Sequence, residues 1–82
     1  MTVRLDAAGR IVLEAACAAD DAEPLHQLLE TASGAEVDWQ GCDEAHTAVI
    51  QLLLVARPVI RDPPRSPFLR RWIAPILAER SG

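Results

Sequence analysis

The run Ala48-Val49-Ile50-Gln51-Leu52-Leu53-Leu54-Val55-Ala56 is apolar at every position but one, and Arg57-Pro58 closes it. It is far too short for a bilayer span, which takes about 20 residues, and longer than a usual strand of about 5–6 residues. Length therefore predicts a helix, from about residue 45 to residue 57, ended by Pro58 because proline has no N–H to continue it. Apolar residues nearly all round predict burial on more than one side. The chain that must supply that cover has 82 residues, half of them hydrophobic. Residues 1–82 therefore make one domain with one small core, and a stability of about 5 kcal/mol.

Before that helix the pattern alternates between strand and helix periods. Thr2-Val3-Arg4-Leu5-Asp6 and Arg10-Ile11-Val12-Leu13-Glu14-Ala15-Ala16-Cys17 read as a hairpin around Gly9, with Ile11, Leu13 and Ala15 on one face of the second strand. Asp20 or Asp21 is placed to cap a helix that tolerates Pro24 in its first turn. Leu25, Leu28, Leu29 and Ala32 recur at helical spacing, and Gly34 stops them. Ala35-Glu36-Val37-Asp38-Trp39 reads as a short strand and Gln40-Gly41-Cys42-Asp43 as the turn after it. Past the apolar helix, Pro58 to Arg61 reads as an edge strand, where a leading proline is tolerated. Asp62 to Pro67 is a stiff linker, and Ser66-Pro67 starts a last helix, Ser as cap and Pro at the first helical position. Phe68, Leu69, Trp72, Ile73, Ile76 and Leu77 fall on one face of it, and Pro75 should bend or split it. Arg70, Arg71 and Arg80 point elsewhere. The expected fold is α/β: a small mixed sheet of three or four strands with helices packed mainly on one side.

Charge is divided along the chain. Residues 1–56 hold ten acids against two arginines, a net of −8; residues 57–82 hold six arginines against Asp62 and Glu79, a net of +4. The expected outcome is a basic C-terminal segment folded back on an acidic body, with an anionic partner as the alternative. Overall charge is −4, which repels the phosphates that supply most non-specific nucleic-acid affinity and argues against that class of partner. Cys17 and Cys42 make no disulfide framework. Glu14-Ala15-Ala16-Cys17 lacks the basic start and apolar run of a lipoprotein leader. With no membrane span expected, the expected location is cytoplasmic.

Residues 37–57, Val-Asp-Trp-Gln-Gly-Cys-Asp-Glu-Ala-His-Thr-Ala-Val-Ile-Gln-Leu-Leu-Leu-Val-Ala-Arg, resemble the central motif of STAS domains, the family of anti-sigma-factor antagonists and of the cytoplasmic domains of sulfate transporters. Val37-Asp38-Trp39 matches the family's strand end, and Ala45 to Ile50 its helix-opening motif. Gly9 to Glu30 is similar to the family's second strand and first helix. The resemblance covers residues 1 to about 61. His46 stands where the family has Asp and Val49 where it has Gly, Thr47 falls on the serine that a partner kinase phosphorylates in regulatory members, and the family's last strand and helix have no clear counterpart.

Each candidate residue has a plain structural reading beside the functional one. Thr47 at a helix start is a phosphorylation candidate, or a capping hydroxyl with no modification. His46 is a pH-sensitive contact, a metal ligand, or an ordinary surface histidine. Cys17 and Cys42 each follow a strand and so can lie at one end of the sheet with His46, but zinc needs three or four ligands and none of its usual spacings appears. Asp38, Asp43 and Glu44 have no nucleophile or phosphate cradle beside them, which favours a solvated rim used for docking over acid/base chemistry. Phe68 and Trp72 are expected to pack in the core; the alternatives are a partner-facing ridge or a membrane-surface contact.

The resemblance implies a regulator that binds another protein and is not an enzyme. It would dock a switch kinase or anti-sigma factor through Asp38, Asp43, Glu44, His46, Thr47 and Ile50, with no cofactor and no membrane insertion. A homodimer is an allied possibility. An accessory subunit of the ATPase of an ABC-type lipid transporter is the alternative with the same fold. A small metal- or ligand-dependent enzyme is the alternative of another class.

Overall fold

The computed structural model describes residues 2–32, 34–60 and 62–78. Strands β1 (Val3–Leu5) and β2 (Ile11–Leu13) form the expected antiparallel hairpin. Gly9 takes a φ of +86°, which L side chains adopt only at a cost. Asp6 closes the loop, its carboxylate accepting the N–H groups of Ala8 and Arg10. Helix α1 (Ala22–Thr31) follows a single 3₁₀ turn at Ala19–Asp21. Asp21 is part of the helix start as expected, but it accepts from Ala18 N–H behind it at 2.7 Å and caps no donor ahead.

Strand β4 (Glu36–Asp38) then lies parallel to β2, helix α2 (Thr47–Ala56) returns across the sheet, and β6 (Val59–Ile60) lies parallel to β4 as the edge strand. The sheet order is β1-β2-β4-β6. The fold is therefore α/β with a mixed sheet of four strands, as the hydrophobic periods predict. The predicted edge strand's last residue, Arg61, lies outside the described residues, as does Arg80. No helix among the described residues is long and apolar enough to cross a membrane.

Register decides which face is covered. Leu5, Ile11, Val37 and Ile60 form one cross-strand row, and Val3 with Leu13 extends it; this face meets the helices. Arg4, Val12 and Asp38 form the next row, on the opposite face, where Val12 is also buried. The core joins Ile11, Leu13, Val37 and Trp39 to Leu25 of α1, Val49 and Leu53 of α2, and Leu69 and Leu77 beyond. Each such aliphatic side chain contributes about 1.5–3 kcal/mol on full burial.

Four expectations need correction. Ala15 does not continue β2's inward face: the strand breaks at Glu14, Ala15 turns to φ +55° and is exposed, and Ala15–Cys17 becomes a separate strand, β3. The predicted turn at residues 40–43 ends early, because Cys42–Ala45 is also a strand, β5, which pairs with β3 in a second, parallel sheet. Helix α2 is fully buried at Val49 and Leu53, with Ile50, Leu52 and Leu54 half-buried beside them, but Val55 on its other side is 84% exposed. So small a core has one side of a helix to cover, whatever the helix offers.

The last correction concerns the C-terminal helix. Ser66 is buried and accepts Leu69 N–H at 3.3 Å, and Pro67 is already helical, as expected. A π-helical turn at Leu69–Ile73 leads into α3 (Ala74–Ala78), and Ala74 N–H reaches back five residues to Leu69 carbonyl. Pro75 explains the widened turn: its ring would collide with the carbonyl four residues earlier and it brings no N–H to bond. The apolar stripe then divides. Leu69 and Leu77 are buried and Ile73 half-buried, whereas Phe68, Trp72 and Ile76 stand 59%, 57% and 44% exposed. Phe68 and Trp72 are not core residues.

Candidate functional site

The second sheet exists to carry the start of α2. Strand β3 runs beside β5 with Ala15 opposite Cys42 and Cys17 opposite Ala45, the register shifting between Ala15 and Ala16. The left-handed turn at Ala15 lets its N–H meet Gly41 carbonyl at 2.8 Å, which ties the end of the hairpin to the start of β5. At the other end Cys17 carbonyl accepts His46 N–H at 2.8 Å. The pairing that ends the sheet thus fixes the residue that begins the helix.

His46 is the helix cap. Its backbone is extended, and its Nδ1 accepts Ala48 N–H at 3.0 Å, so the ring proton sits on Nε2. Its carbonyl accepts Val49 and Ile50 N–H at 2.9 and 3.1 Å. Of the four donors that a helix start leaves open, those of His46, Ala48 and Val49 are therefore taken, and Ile50 makes the first regular bond of the helix. The remaining one is the N–H of Thr47, the first helical residue. Thr47 is exposed, and among the described residues its hydroxyl makes no hydrogen bond. The side-by-side imidazole and hydroxyl have separate jobs: the ring caps, and the hydroxyl is uncommitted.

Asp43 and Glu44 on β5 are exposed beside this start. Asp43 accepts from Arg65 Nε at 2.7 Å, and Arg65 also donates to Gly41 carbonyl. The Asp43 carboxylate raises the Arg65 pKa above its ordinary value. Among the described residues this is an ion pair through which the basic segment meets the acidic body, and the acid–arginine division of the sequence is the signal that foreshadows it. Ile50 sits one turn on, half-buried against the core. Asp38 does not join the group: it holds Gln40 N–H at 3.1 Å and its register row places it on the face of the main sheet opposite Ile11 and Val37.

Trp39, between Asp38 and this region, is 1% exposed and donates its indole N–H to Asp62 carbonyl at 2.9 Å. It pins the linker that presents Arg65. Its place at the end of an alternating strand gives no sign of that role, because the partner lies 23 residues away.

Cys17 and Cys42 are free and buried beneath the same junction. The neighbouring Cys42 thiol pulls the Cys17 pKa down, while Cys17 and burial push that of Cys42 up. Cys17 also points to the carbonyls of Thr2 and Glu14, and Cys42 to that of Glu44. Among the described residues no three of His, Cys, Asp or Glu converge as a metal-binding group would. Chemically the arrangement offers an exposed hydroxyl on a rigid helix start, rimmed by two carboxylates and one guanidinium.

Compared with protein-family models, curated proteins and solved structures, the chain finds no match.

Proposed function

We propose that the protein is a non-catalytic regulator that docks another protein through the surface from Asp43 to Ile50, with Thr47 as a phosphorylation switch at its centre. The observation that carries this reading is the division of labour at the helix start. Because His46 supplies the cap, Thr47 can gain a charge without unmaking the helix. With most first-turn donors already occupied, a phosphate there gains little from the helix and acts mainly by placing about −2 of charge beside Asp43 and Glu44. That is a change a docked partner must feel.

The resemblance to STAS domains supports the choice of partner class: a cytoplasmic anti-sigma factor or switch kinase, with Thr47 in the modified position. Asp38 stands apart from the docking surface in this reading, although the sequence placed it there.

The test compares three proteins for affinity to the partner captured from the native host, by calorimetry, with circular dichroism as the fold control. Thr47→Glu should weaken binding by at least about tenfold while Thr47→Ala binds as wild type does. Equal affinities for all three would leave Thr47 an ordinary helix-start residue and move the transporter-subunit reading ahead. Loss in Thr47→Ala as well would show a static contact in place of a switch.

A further inference from the structure

Two apolar features are left uncovered, and they are opposite in shape and charge. The first is a ridge: Phe68, Trp72 and Ile76 recur every four residues along the C-terminal helical segment, all more than two-fifths exposed. Arg71 stands beside it, its guanidinium 5.2 Å from the centre of the Trp72 ring, and it meets no carboxylate among the described residues. The second is a groove of about 580 Å³ between α1 and α2. Ala19, Ala22 and Ala48 contribute small side chains to its lining, and Leu52 and Val55 larger apolar ones. Glu23 and His26 line it too; Asp20 in the turn before α1 and Glu23 and Glu30 on α1 are all exposed, with His26 3.7 Å from Glu30.

The ridge cannot serve its own chain's groove while Leu69 and Leu77 hold that helical segment in the core. We propose that the ridge of one molecule enters the α1–α2 groove of a second copy of this chain, with Arg71 facing the acidic edge of α1. Ridge and groove are complementary in shape and in charge. Aromatic side chains fit a groove lined with alanine, where small residues let another helix approach closely. A cation that meets no carboxylate among the described residues comes to face the acids of that edge. Small interfaces of this kind are usually weak, so association should be concentration-dependent and fall with added salt, which screens the exposed charges. The contact is heterologous, since the two surfaces differ. That property makes it testable.

Val55 and Trp72 are both exposed, so each can take a charge without loss of the fold; circular dichroism verifies this. Sedimentation velocity on the wild-type protein up to about 1 mM should show reversible self-association that weakens in salt. Trp72→Glu removes the ridge and Val55→Glu spoils the groove, and each should weaken self-association at least about tenfold. An equimolar mixture should then regain a heterodimer, because the first variant keeps a sound groove and the second a sound ridge. A monomeric wild type would overturn the proposal, including one that instead binds anionic phosphatidylserine vesicles through Trp72. So would association that survives Val55→Glu, which would mean ridge against ridge, or a mixture that stays monomeric.

Discussion

Replacing Trp39 with alanine removes the largest side chain in the core, one that is 1% exposed. The typical loss for a buried Phe or Trp cut to Ala is about 3–5 kcal/mol, from lost transfer free energy and the cavity left behind. The indole N–H to Asp62 carbonyl bond goes with it, adding about 1 kcal/mol, since that carbonyl lies by an exposed residue and water can replace the donor. Against a total of about 5 kcal/mol, the variant should be largely unfolded at room temperature. Trp39→Phe keeps most of the volume and loses the bond, so it should fold with a loss of about 1–2 kcal/mol. Trp72 provides the internal control. It is 57% exposed, and Trp72→Ala should cost less than about 1 kcal/mol. Urea denaturation followed by far-UV circular dichroism measures all three, and comparison should be made at concentrations where the protein is monomeric. A Trp39→Ala protein that loses under about 1.5 kcal/mol, or a Trp72→Ala protein that loses more than about 2, would refute the assignment of the two indoles.

Three further outcomes follow from the local geometry. His46→Ala should cost about 1 kcal/mol in the same assay, and His46→Asn much less, because an asparagine oxygen can accept Ala48 N–H in place of the ring nitrogen. The Arg10 backbone N–H and then its guanidinium hold the Asp6 carboxyl below the usual carboxylate range. A carboxylate depressed in the folded state contributes stability above its unfolded range and loses it as pH falls through the depressed value. The urea midpoint should therefore drop in acid, and Asp6→Asn should show a shallower acid loss. Ala15 occupies φ +55°, where a Cβ is strained, so Ala15→Gly should leave stability unchanged or raise it by up to about 1 kcal/mol, whereas Ala15→Val should lower it.

Features with local causes were legible in the chain. Gly9 marks a hairpin because the turn needs positive φ, Gly34 follows a helix for the same reason, and Pro58 leads an edge strand because an edge does not need its N–H. The second sheet was not legible. Ala15-Ala16 and Asp43-Glu44 have little strand preference of their own, and they pair because the hairpin's exit and the end of β4 arrive side by side. The C-terminal stripe misled for a related reason. Six apolar residues at helical spacing show that a helix has an apolar side, but a helix at the margin of a small core buries one row, here Leu69 and Leu77, and turns the next outward. At the candidate site, a helix start at His46-Thr47 could be read from the sequence. Which of the two caps it could not, since either side chain can accept an N–H two residues ahead.

The location of the docking surface is tested most directly by titrating the partner captured from the native host into ¹⁵N-labelled protein and following backbone amide resonances. The account predicts that the shifted and broadened signals cluster at Asp43, Glu44, His46, Thr47 and Ile50, continuous with Ala16 across the β3–β5 pair. A cluster on Arg4, Val12 and Asp38 across the opposite face of the main sheet, or along Phe68, Trp72 and Ile76, with the α2 start unmoved, would contradict it.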